Sequence, residues 1–298
     1  MLSTAFRITS LSDPRPAPGT RRRAWVVADA GADGRPVGTG YLLLHERPGR
    51  DHLAEAELRV HPAERGRGAG TLLLAATVEA AREEGRRTVT ARAEEGSPGA
   101  RFLARRGFRT TLTLVHTRLA LADADPAALA AAVERPHPGY RLESWSGAVP
   151  DRFAESFAYA RRAMDDMPTG DGTVPAVWDA RRVRAAARAV ADRGDLLHTV
   201  VAVDTADGSV AAFTELVVPG DGTGDAQHYG TGVLPGHRRR GLARWIKSAS
   251  VLYARTRFPA LGGLLTDTAE TNAPMRRVNE ALGYGPTHRE ALCRLDLP

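Results

Sequence analysis

Apolar and polar positions along the chain follow two periods. After each of two glycine-rich turns, apolar residues recur at helical spacing. The first such stretch, Leu72 to Glu84, is stopped by Gly85; the second, Leu242 to about Arg257, is stopped by Pro259. Short apolar or alternating runs predict strands at Arg7–Ser10, Ala24–Ala28, Thr88–Ala91, Ala211–Val218, Gln227–Val233 and Gly263–Thr266. Two longer β-rich runs, Thr110–Leu121 and Thr287–Leu297, close the two halves. Asp151–Ala163 and Trp178–Ala191 read as helices, and Pro126–Val133 as a short one. No run of about 18 apolar residues is present to cross a membrane as a helix.

The elements repeat. Leu58-Arg-Val-His-Pro-Ala-Glu-Arg-Gly-Arg-Gly-Ala-Gly70 matches Thr231-Gly-Val-Leu-Pro-Gly-His-Arg-Arg-Arg-Gly-Leu-Ala243 at a constant, gapless offset of 173. Each copy runs strand, proline, glycine-rich turn, helix, and each half later carries a short strand, a short helix and a Gly-aromatic pair, Gly107-Phe108 or Gly283-Tyr284. One repeat of this length is a duplicated domain, not a solenoid. The proline-bounded, Ala-rich stretch 122–139 reads as the linker between domains at 1–121 and 140–298.

Glycines between a strand and a helix let backbone N–H groups face a small cavity without Cβ obstruction, and the helix N-terminus adds a positive dipole. Such a turn holds an anion, and flanking arginines suit a diphosphate. The spacing is not that of a nucleotide-binding P-loop, and no acidic residue is placed as in a dinucleotide fold.

The 298 residues are 43% hydrophobic, enough for two cores. One cysteine, Cys293, excludes an internal disulfide and a cysteine-rich metal site. The polar first residues, Met1 to Gly19, have no apolar signal core, so a cytoplasmic protein without metal is expected. The net charge is +6; of 41 basic residues one, Lys247, is a lysine and the rest are arginines. That excess fits drift in a GC-rich genome, or a polyanionic partner such as a CoA phosphate or a nucleic acid.

With both copies in place, the chain resembles the GNAT superfamily of acyl-CoA-dependent N-acetyltransferases in a tandem form, on Arg238-Arg-Arg-Gly-Leu-Ala243 and Thr271-Asn-Ala-Pro-Met-Arg-Arg-Val-Asn-Glu-Ala-Leu-Gly-Tyr284 above all. The second half is the nearer in these motifs. The resemblance implies an α/β (α+β) fold of two GNAT-like domains, each a mixed central sheet flanked by helices, the first without its leading helices. It implies acetyl-CoA between two splayed central strands, its pyrophosphate on backbone N–H groups around Arg239, Arg240, Gly241, Leu242 and Ala243, beside Arg238. Asn272 would lie near the pantetheine arm, and Gln227–Val233 would bond its amides. In the first half, Arg65, Gly66, Gly68 and Gly70 would form a second cradle, or that half would only buttress the other; Gly96 stands where the second half has Asn272. Only Leu11 to Arg23, rich in Pro and Gly, lies between the first two strands there, too short for two helices, so a first domain without a normal acceptor pocket is expected.

Chemistry on an amine calls for a base and an acid. Glu215, interrupting an apolar strand, is a candidate base or a solvent-facing carboxylate; His228 is a second candidate base or a structural histidine. The position that the family resemblance assigns to an acidic Tyr is Asn279, which can hydrogen-bond a sulfur but not protonate it. Asp165 and Asp166, in the loop between the predicted helices, could fix a cationic acceptor or simply solvate a helix end. The expectation is direct acetyl transfer to a primary amine of a small, cationic, antibiotic-like metabolite. Two alternatives stay open: an aminoacyl-tRNA donor on the same fold, and a non-catalytic acyl-CoA-binding protein. No membrane partner is expected, and a homodimer is left open.

Overall fold

A parallel strand pair needs a crossover, and a helix usually supplies it. The chain does this twice, once in each of two units. The computed structural model describes residues 6–11, 19–31, 34–46, 49–167, 170 and 177–298.

Unit 1 is a sheet of β1 (Phe6–Leu11), β2 (Thr20–Asp29), β3 (Pro36–His45), β4 (Leu53–Val60), β5 (Thr88–Glu94) and the end of β12, in that order. β4 and β5 are the parallel pair, joined through α1 (Ala69–Glu83). A short α2 (Pro98–Arg105), N-capped by Ser97 Oγ, follows β5. α1 packs Leu73, Leu74, Ala80 and Ala81 into a core with Trp25, Val27, Leu42, Leu44 and Val89. Eight residues separate β1 from β2, and 12–18 of them lie outside the described residues.

Unit 2 has β6 (Arg109–Ala120), β7 (Tyr140–Ser146), β8 (Leu196–Asp204), β9 (Val210–Val218), β10 (Gly224–Val233) and β11 (Leu261–Ala269), in the order β6-β11-β10-β9-β8-β7. β10 and β11 are its parallel pair, and α6 (Leu242–Arg257) the crossover. On one face lie α6 and α7 (Ala273–Ala281). On the other lie α4 (Ala154–Ala160), the 3-10 turn Arg161–Met164, and α5 (Ala180–Ala191). Phe157, Val183, Val201 and Phe213 form the core of that second face.

The units do not divide at the boundaries drawn from the sequence. Among the described residues, unit 1 comprises those up to 113, residue 170 and 290–298; unit 2 comprises 114–167 and 177–289. Each half gives its last strand away. Leu114–Ala120 of β6 pairs with β11 in unit 2, and Glu290–Asp296 of β12 (Gly285–Asp296) pairs with β5 in unit 1. The stretch read as a linker is structured as well. Its helix α3 (Pro126–Glu134), N-capped by Asp125, buries Leu129 in unit 2, and Trp245 Nε1 of α6 donates to Val133 O at 2.8 Å.

Candidate active site

The two glycine-rich turns adopt one backbone. Arg65 Nε donates to Val60 O at 3.2 Å, and Arg238 Nε to Val233 O at 3.0 Å, each folding the turn back on its strand. Gly66 (φ 78°) and Arg239 (φ 62°) occupy the same left-handed position, and Arg239 is the one non-glycine residue with positive φ among the described residues. Gly68 (φ 102°) and Gly241 (φ 79°) are the N-caps of α1 and α6; neither can cap with a side chain, and neither helix has an acidic first turn. The first N–H groups of both helices are therefore left for an external anion. Gly70 sits inside α1 with room for a methyl, which Ala243 supplies in α6; both positions offer only their N–H groups.

The flanks differ. In unit 1 the buried carboxylate of Glu64 bonds Arg35 at 2.7 Å and also Arg67. Its counterpart in unit 2 is His237, whose Nδ1 meets Tyr140 Oη at 2.9 Å. Arg238 also reaches Asp166 Oδ2 at 2.7 Å, and that guanidinium holds the Asp166 carboxyl below its usual range. Asp165 lies near Arg162, at 3.9 Å. Asp166 is thus engaged by the cradle's own arginine. A cavity of about 420 Å³, lined by Arg135, His137, Tyr140, Arg240 and Gly241, lies beside the turn.

Beyond the turn lies the opening between β10 and β11. Their parallel pairing ends at Gln227↔Leu265. A bulge at Tyr229 shifts the register of β10 against β9, re-aiming the residues after it. On the face of α6 and α7, Lys247 Nζ donates to Asn279 Oδ1 at 2.8 Å, and Asn279 Nδ2 to Thr268 Oγ1 at 3.1 Å. His228 Nδ1 lies 3.3 Å from Thr214 Oγ1, which meets Thr231 Oγ1 at 2.8 Å. All of Lys247, Asn279, His228, Thr214 and Thr268 are buried. His228 Nε2 and Tyr284 Oη are buried with no partner. Burial, reinforced by the Lys247 charge, drives the imidazole of His228 well below its ordinary pKa, so it is neutral at physiological pH. Burial lowers the Lys247 amine to about 7, against the opposing pull of Asp267, and raises the phenol of Tyr284.

On the opposite face sits Glu215, paired across the sheet with Gly230. The carboxylate is buried and ion-paired with Arg161, itself stacked on Trp178 with 3.9 Å to the ring centroid and flanked by Phe157 and Phe213. Burial pushes the carboxyl of Glu215 up; Arg161 opposes this through its charge and hydrogen bond. Gly230 and Gly232 let the Arg161–Met164 turn lie close: a Cβ on Gly232 would stand 2.9 Å from Ala163 Cβ and from Phe213. Glu215 does not point to solvent, and it and His228 lie on opposite faces of the sheet. Asn272 caps α7, its Oδ1 accepting from Met275 N at 3.3 Å, which leaves its amide nitrogen as the side chain's free donor.

Unit 1 holds a cavity of about 980 Å³ along β4 and β5, bordered by Tyr41, Glu55, Glu57, Arg59, Arg92 and Phe102 among others. Glu55 is engaged by His45 at 2.7 Å and Arg50 at 3.2 Å, and Glu57 by Arg59 at 2.6 Å. This cavity lies on the sheet face that α1 leaves free. The alternation in Leu53–Val60, with Glu55, Glu57 and Arg59 on one side and apolar residues on the other, was its sequence signal. Arg161 and Lys247 had no such signal.

The profile of the Acetyltransferase (GNAT) family matches residues 7–108, in the half that had looked more degenerate by its motifs. A mycothiol acetyltransferase of Nocardia farcinica is 31% identical over 252 residues, covering 84% of this chain and 76% of that protein. Among solved structures, a tandem GNAT protein from the clavulanic acid biosynthesis pathway superposes with a TM-score of 0.72 at 29% identity, over 94% of this chain and 84% of that one. A GCN5-related N-acetyltransferase from Sphaerobacter thermophilus shares the fold, with a TM-score of 0.67 at 19% identity, over 92% of this chain and 80% of its own. Two capless helix N-termini, each after a glycine turn and beside a parted parallel strand pair, agree with these likenesses, and the chain belongs to the GNAT family of acetyltransferases.

Proposed function

We propose that the protein transfers an acetyl group directly from acetyl-CoA to a primary amine of a small metabolite, with its active centre in unit 2. The observation that carries this reading is the two-faced opening beside the Gly241 turn. The turn offers uncapped N–H groups and Arg238–Arg240 to a diphosphate. The bulge at Tyr229 turns part of β10 out of its ladder. Glu215 stands on the face walled by α4 and α5, where an amine would approach. The thioester carbonyl carbon is the electrophile. Glu215 takes the proton that the attacking nitrogen must lose, and Arg161 draws the carboxyl towards its ionised, accepting form against the stronger opposing effect of burial. A neutral His228 on the other face is a wall of the donor slot and not the base.

The name of the Nocardia farcinica relative supports a small-metabolite acceptor over a protein. With Asp166 bound to Arg238, a cationic acceptor rests on Glu215 alone. A second reading has its own observation: the first turn carries glycine at both left-handed positions, with nothing within 4 Å of either Cβ, and borders the unit with the larger cavity. Acetyl-CoA binding in unit 1 is therefore also proposed.

The test is acetyl-CoA incubated with an amino sugar, a polyamine and an aminoglycoside, with mass spectrometry of the products. An N-acetylated amine that disappears in Glu215→Gln supports the reading. Acetyl-CoA bound but no amine acetylated, or full activity in Glu215→Gln, contradicts it.

A further inference from the structure

The only lysine among 41 basic residues is Lys247, and its side chain is 1% exposed. Everywhere else this chain meets the need for positive charge with arginine. Arginine cannot give up its proton; a lysine amine can. The one lysine stands on α6, one turn and a half past the Gly241 cap, and its Nζ lies against Asn279 on the α6 and α7 side of the parted strands. A buried ammonium has three protons to place. One goes to Asn279 Oδ1, and the amide of Asn279 is itself tied to Thr268, so its oxygen must face the amine. The Tyr284 ring, with 4.9 Å from Nζ to its centroid, covers another side. His228 on β10 and the Tyr284 phenol face it, while Asp267 on β11, exposed and next to Thr268 along the strand, acts on it only through its charge. His228 Nε2 and Tyr284 Oη, in the same buried cluster, lack partners. A cation buried among neutral groups is costly unless an anion joins it.

Resting on the reading that unit 2 takes acetyl-CoA, we propose that Lys247 is the group that receives the leaving CoA thiolate, holding the sulfur anion as an ion pair. In the step, the acceptor nitrogen forms a C–N bond to the thioester carbon and its surplus proton passes to Glu215. The C–S bond breaks with its electron pair on sulfur, which stays as the thiolate paired with the Lys247 ammonium. The products are the N-acetyl amide and CoA thiolate, with Glu215 protonated; as they leave, Glu215 returns its proton to solvent and the sulfur takes one from it. The incoming anion offsets the burial that otherwise lowers the amine to about 7. Asn279 is the positioning residue that aims the amine.

The test needs no acceptor. CoA thiol is titrated into wild-type protein, Lys247→Met and Lys247→Arg at pH 7.5, with affinity from calorimetry and bound thiolate from its ultraviolet absorbance. A cysteine thiol, of pKa about 8.5, is roughly one-tenth ionised at that pH, and the less acidic CoA thiol is ionised still less. The wild type is expected to bind CoA mostly as thiolate, and Lys247→Met to bind it with at least a fivefold weaker thiolate signal. Lys247→Arg, which keeps the charge, is expected to retain the signal and also serves if the methionine variant does not fold. Wild-type binding of CoA without thiolate, or an undiminished signal in Lys247→Met, overturns the role of Lys247 and leaves the acetyl-CoA reading standing. No binding of CoA by the wild type overturns both.

Discussion

The Arg161–Glu215 pair gives the sharpest test of how unit 2 is built. Replacing Arg161 by methionine keeps a long side chain between Trp178 and Phe213 but strands a carboxylate that is 3% exposed. Removing one partner of a buried ion pair typically costs about 3–5 kcal/mol. Part of the loss is avoidable, because Glu215 can take up a proton. Its folded-state pKa is already raised by burial, and losing Arg161 raises it further. A group whose folded pKa is raised is best tolerated below its unfolded value, near 4.3, and destabilises progressively as pH rises towards the folded pKa, by up to about 1.4 kcal/mol per unit. Urea unfolding of Arg161→Met at pH 5 and pH 8 should therefore show a far larger deficit at pH 8. Adding Glu215→Gln should remove the pH dependence and recover much of the stability. A deficit under about 1 kcal/mol that is equal at both pH values would refute the buried pair, since that is the behaviour of an exposed one.

Other consequences can be checked separately. Gly232→Ala places a Cβ against Ala163 and Phe213 and should cost about 1–3 kcal/mol by denaturant titration, whereas Gly236→Ala, with open space around it, should be near neutral. Asp166→Asn breaks a solvent-exposed pair, so the melting point should move little while acetyl-CoA affinity holds or rises as Arg238 is released; a tenfold fall would show that the pair is needed in the cradle. His228→Gln should leave the acid limb of any pH–rate profile in place, because the imidazole is uncharged throughout the working range.

Much of this was legible in the residues, for a physical reason. Glycine in the left-handed region and proline at a strand end act locally, so the turn at 238–241, the helix Leu242–Arg257 and its counterpart at Ala69–Glu83 could be read directly. Long-range pairing could not. That Thr110–Leu121 and Thr287–Leu297 are strands follows from their β-rich pattern, but which sheet each joins depends on partners more than a hundred residues away. The same holds for chemistry. Glu215 stood out as a charge in an apolar strand, yet Arg161, 54 residues earlier, sat in an ordinary helical pattern. Lys247 looks like a helix surface residue until the burial of α6 between sheet and α7 is known. Asn272 was read from resemblance as a ligand for the donor, and local capping chemistry takes its oxygen first.

The central claim, that the Gly241 turn is the donor cradle of the active unit, is tested most directly by titrating acetyl-CoA calorimetrically into the wild type, Arg238→Glu and Arg65→Glu. The account predicts that the wild type binds acetyl-CoA, that Arg238→Glu loses the site in unit 2, and that Arg65→Glu leaves that site intact, with a second site in the wild type if unit 1 also binds. Unchanged stoichiometry and affinity in Arg238→Glu would contradict it.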